Sequence, residues 1–99
     1  MSSSNVITLN TVVARNEALL SAEVGAEVVM LHVENNAYYD TDAIGADIWR
    51  RLTQPLRVRD LCAELLQSYR VDRETCEGDV LAFLNDARSE GVVRIVESA

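Results

Sequence analysis

Apolar and polar positions change rhythm at Thr41. Upstream the alternation is close to two and the residues are branched. VITL and TVVA, around Val6 to Ala14, give a first β signal, and Leu19 to Val24 a second, broken at Gly25. EVVMLHV, Glu27 to Val33, is the strongest strand signal. Val29, Leu31 and Val33 fall on one face, which is wholly apolar; Val28, Met30 and His32 fall on the other, which is mixed. Asn35-Asn36 tolerates left-handed backbone and makes a turn. Ala37 to Tyr39 then returns as a short strand, so Glu27 to Tyr39 reads as a hairpin. A strand this short suits the edge of a sheet.

Downstream the period is helical. Thr41 or Asp42 can cap a first helix, with Ile44, Ile48, Trp49 and Leu52 along one side and Arg50 and Arg51 in its last turn. Gln54-Pro55 stops it. A second helix, from about Arg57 to Tyr69, carries the stripe Val58, Leu61, Cys62, Leu65, Leu66 and Tyr69. Asp72 caps a third, which repeats the stripe through Cys76, Val80, Phe83, Leu84 and Ala87 and ends at Gly91. Val92 to Val96 is a final strand candidate. The order predicts one α+β domain over residues 6–99 with winged-helix-like packing: an N-terminal antiparallel sheet of three or so short strands on a three-helix bundle. Met1 to Asn5 has nothing to bury and is expected to fray.

Charge narrows the partners. Sixteen acids against nine arginines, with no lysine, give a net charge of −7. The third helix carries Glu74, Glu77, Asp79, Asp86 and Glu90 against Arg73 and Arg88. A winged-helix DNA-binding regulator needs the opposite sign there, so nucleic acid is not the expected ligand. No run suits a membrane span or a signal peptide, and Cys62 and Cys76 fit no disulfide framework; the expected compartment is the cytoplasm.

Catalytic chemistry has little to work with. His32 is the one histidine and lies mid-strand. Two thiols 14 residues apart make no metal site, and no lysine is present for amine chemistry or a phosphate loop. The expectation is no catalytic residue, no metal and no cofactor. Binding remains: an edge strand offers unpaired backbone groups, and a neighbouring helix can wall a groove beside it.

EVVMLHVENNAYYDTDAIGADIW resembles the PqqD-like family, whose members carry a Tyr-Tyr-x-Leu-Asn-x-x-Gly-x-x-Ile-Trp junction after an apolar strand and a turn. Tyr38, Tyr39, Gly45, Ile48 and Trp49 match; Thr41-Asp42 replaces Leu-Asn, keeping the capping chemistry and losing a buried leucine. The resemblance runs from Leu19 to Val96. It implies a non-catalytic recognition element for the leader region of ribosomally made precursor peptides. The leader would add as a strand on Asn36, Ala37, Tyr38, Tyr39 and Asp40. The third helix would wall the groove through Arg73, Glu77, Val80, Leu81 and Leu84. It also implies a partner enzyme: the leader peptidase of a lasso peptide pathway, or the radical SAM enzyme of quinone cofactor biosynthesis.

Overall fold

The computed structural model describes residues 6–34 and 36–96. The expected fraying of Met1 to Asn5 lies outside them, as does Asn35. Six strands and three helices follow in the order β1 (Val12–Arg15), β2 (Leu20–Val24), β3 (Glu27–His32), β4 (Ala37–Asp40), α1 (Ala43–Arg51), β5 (Leu56–Arg57), α2 (Val58–Ser68), α3 (Arg73–Ser89) and β6 (Val93–Val96).

The strands form two antiparallel sheets, not one. β2, β3 and β4 make a meander in that order. The first strand stands apart from it: β1 lies between β5 and β6. Its residues reach across the chain to the C-terminal strand, a pairing between distant segments that local pattern does not announce. Gly25 (φ 62°) turns β2 into β3, and Asn36 (φ 52°) turns β3 toward β4.

The first and third helices start where side-chain caps place them. The Asp42 carboxylate accepts from the Gly45 amide at 2.8 Å, and Asp72 accepts from the Thr75 amide at 3.0 Å. Thr41 does not cap. It is buried, and its hydroxyl stands 3.4 Å from the backbone nitrogen and oxygen of Val28. That contact accommodates a hydroxyl at a position where the family pattern has an apolar side chain. Gly91 (φ 80°) ends α3 with its amide bonded to Arg88.

The core runs through Val28 and Met30 of β3, Ile48 and Trp49 of α1, Leu61, Cys62 and Leu65 of α2, and Cys76, Val80, Leu84 and Ala87 of α3. Two stripe positions depart from expectation. Ile44 is half exposed rather than turned inward, because Gly45 and Ala46 take the buried side of the first turn. Tyr69 lies just beyond α2 and is exposed, with its hydroxyl donating to Asp47 at 2.7 Å. A Cβ on Gly45 would stand 2.8 Å from Phe83 of α3, so the absent side chain lets α1 and α3 close on each other.

Candidate functional site

β4 is an edge strand, and its hydrogen-bond phase can be read directly. The Thr41 amide donates to the Val28 carbonyl at 3.1 Å. Bonded and non-bonded pairs alternate in an antiparallel ladder, so Tyr39 with Met30 and Ala37 with His32 are the bonded pairs. Tyr38 and Asp40 therefore direct their amides and carbonyls away from β3, along the rim of the sheet.

The same phase separates the two tyrosines. Tyr38 is 72% exposed on the outer face. Tyr39 turns toward α3, is half-buried, and donates its hydroxyl to Asp86 at 3.2 Å. Burial raises the Tyr39 phenol to about 12, with the Asp86 charge next and further contributions from Glu90 and Asp42.

A seam runs along α3 against β4 and then the start of α1, with a concavity at each end. One, of about 220 Å³, is lined by His32, Ala37, Tyr38, Tyr39, Ser89 and Glu90, among others. The other, also about 220 Å³, is lined by Asp42, Ile44, Gly45, Asp79, Val80 and Phe83, with Ile48 at its base. In order along both elements, the Tyr39–Asp86 bond falls between them. Beyond Ile44 and Val80 a more apolar hollow of about 270 Å³ continues past Leu65, Tyr69, Val71 and Cys76. The charged side chains along the seam, Asp42, Asp79, Asp86 and Glu90, are all acidic.

Of the residues expected to contact a peptide, Ala37, Tyr38, Tyr39 and Asp40 form the edge strand, while Asn36 belongs to the turn before it. Val80 and Leu84 are buried core residues, and Val80 also borders two of the hollows. Arg73 and Glu77 pair with each other at 3.6 Å near the start of α3. Leu81 stands roughly half a turn around the helix from Asp79, Phe83 and Asp86. On its side, Asn85 bonds the backbone of Ile7. The helix face toward β4 and the start of α1 is instead Asp79, Phe83, Asp86 and Glu90, which follow one another at helical spacing on the flank of the core stripe: Asp86 and Glu90 stand beside Tyr39, and Asp79 and Phe83 beside α1. Their spacing is visible in the sequence; which flank meets the sheet is not.

Among the described residues, no group of three or more His, Cys, Asp and Glu is placed to hold a metal ion. Cys62 and Cys76 are free and buried, and burial pushes both thiols up, Cys62 to about 11. Among the same residues, no helix is long and apolar enough to cross a membrane.

The geometry can be set beside known proteins. Residues 27–93 match the sequence profile of the family described as coenzyme PQQ synthesis protein D (PqqD). The fold is similar to the solved structure of TbiB1 in complex with the TbiA(beta) leader peptide, with a TM-score of 0.75 and 30% identity over 87% of this chain and 98% of that one. It is also similar to a lasso peptide synthetase B1 complexed with the leader peptide, with a TM-score of 0.68 and 20% identity over 83% and 96% of the two chains; at that identity the likeness speaks for the fold. No curated protein matches the chain. The matched profile takes in the hairpin, the Tyr-Tyr to Trp junction and all three helices, and the chain belongs to the PqqD family.

Proposed function

We propose that this protein binds the leader region of a ribosomally synthesised precursor peptide as an added strand on β4 and presents it to a modifying enzyme. The enzyme we favour is the leader peptidase of a lasso peptide pathway. The observation that carries this reading is the open rim of β4, with the Tyr38 and Asp40 backbone groups aimed outward, in a chain similar along nearly all of TbiB1, which was solved with a leader peptide bound. Main-chain bonds along the rim supply affinity, and the seam between β4 and α3 selects side chains. An added strand directs alternate side chains into that seam. Because Asp86, Glu90 and Asp42 border it, neutral or basic side chains suit those inward positions and acidic ones oppose them. We read the protein as non-catalytic, a carrier whose partner does the chemistry. A second reading, a peptide chaperone for a radical SAM enzyme in quinone cofactor biosynthesis, is favoured by the description of the matching family.

Titration of a fluorescently labelled leader from its cognate precursor peptide with the purified protein tests the reading. The expected result is saturable one-to-one binding with the peptide recovered intact. A leader that fails to bind, or that is cleaved by the pure protein, contradicts it. Cleavage of the bound precursor by a cognate leader peptidase separates the lasso setting from the quinone one.

A further inference from the structure

The faces of β3 are distributed against their composition. The mixed face, with Val28 and Met30, is buried; the face of Val29 and Leu31 looks out. Pairing puts Leu20, Leu31 and Tyr38 in one row across all three strands, each 41% exposed or more. Val24 flanks the row on the same face, and Val33 follows it where β3 ends; both are exposed. This is a contiguous apolar face on a soluble-sized domain, where isolated exposed residues are the norm. Its charges have one sign. Glu27 and Asp40 stand on it and Glu34 follows at the turn, while β2, β3 and β4 contain no Arg or Lys. Arg50, the base that reaches β2, is held on the inner side by Glu23 at 3.1 Å.

We propose that the outer face of the β2–β3–β4 sheet docks a partner protein whose own apolar patch is framed by Arg or Lys side chains. The proposal rests on the leader-binding reading, under which this partner is the enzyme that receives the peptide. A second copy of this chain is a poor occupant: face to face, it would set Glu27 and Asp40 against their own kind in a molecule of net charge −7. The face is also continuous with the peptide rim. A strand added beside β4 lies next to Tyr38, so peptide and partner are held side by side on one sheet while the seam on its other side stays free for the inward side chains.

The test pairs two readouts. Leu20→Ser with Leu31→Ser alters two exposed positions on β2 and β3 and leaves the β4 rim intact. The labelled leader is expected to bind this double variant within about twofold of the wild type, since the sites are separate. Cleavage of the precursor by its cognate leader peptidase, supported by the variant, is expected to fall by about tenfold or more, as for loss of a central apolar anchor. Glu27→Lys with Glu34→Lys is expected to keep leader affinity while weakening association with the peptidase, through loss of charge complementarity. Cleavage at the wild-type rate with the double serine variant overturns the proposal. So does a joint loss of leader affinity and cleavage, which would place the outer face in the peptide site. So does a wild-type dimer by sedimentation that the serine variant dissolves, which would make the occupant a second copy. Failure of the wild type to bind leader defeats the underlying reading instead, and is seen before any variant is made.

Discussion

Tyr38→Pro is expected to remove most of the leader affinity and leave the fold standing. The Tyr38 amide points away from β3, so proline there breaks no bond of the native ladder; edge strands accept it for that reason. It deletes a donor the added strand needs and puts a ring in the strand's path. One lost hydrogen bond is worth about 0.5–1.5 kcal/mol, and the steric block adds to it. Each ~1.4 kcal/mol is a factor of ten, so the expected weakening is about tenfold to hundredfold. Proline at Tyr39 is a different experiment. It strikes the Tyr39–Met30 pair and unsettles the Asp86 bond, so it disturbs the strand itself. Fluorescence anisotropy with the labelled leader, beside a thermal melt, separates the two. Unchanged affinity in a folded Tyr38→Pro protein would remove β4 from the binding account.

Trp49→Ala is expected to act on stability and not on binding. Trp49 is 5% exposed inside the core. The Arg15 guanidinium lies 4.4 Å from its ring centroid and donates to its backbone oxygen at 3.0 and 2.8 Å, tying β1 to the end of α1. Truncation of a core tryptophan costs about 3–5 kcal/mol. Loss of the cation–π contact adds about 0.5–1 kcal/mol. A domain of this size has roughly 5–15 kcal/mol in all, so the variant keeps a thin margin. The melting temperature is expected to fall by roughly 15–30 °C. Leader affinity below the new transition should stay near wild type, because Trp49 lines none of the seam. Lost affinity at an unchanged melting temperature would contradict its place in the core.

Much of this architecture could be read from the chain. The hairpin, the turn at Asn36, the caps at Asp42 and Asp72 and the stop at Gly91 are local features, each set by the chemistry of one or two residues. What could not be read depends on phase or on distant partners. Which tyrosine faces α3 follows from the ladder set by Val28 and Thr41, not from the pair Tyr38-Tyr39. The stripe on α3 locates the core but not which of its flanks meets the sheet and α1: Phe83 and Asp86 lie on that flank and Leu81 on the opposite one. The composition of β3 does not reveal its buried face either, because Met30 and Val28 pack as well as leucine would and His32 sits at the rim of the core. β5, with two residues, is too short for any periodic signal and exists because β1 offers it a partner.

The central claim is strand addition at the β4 rim. Amide hydrogen exchange followed by NMR, with and without saturating leader, tests it at single residues. The account predicts that leader slows exchange at the amides of Tyr38 and Asp40, which face the rim, with little change at Ala37 and Tyr39, which already bond β3. Saturated leader binding with Tyr38 and Asp40 exchanging as fast as before would contradict it.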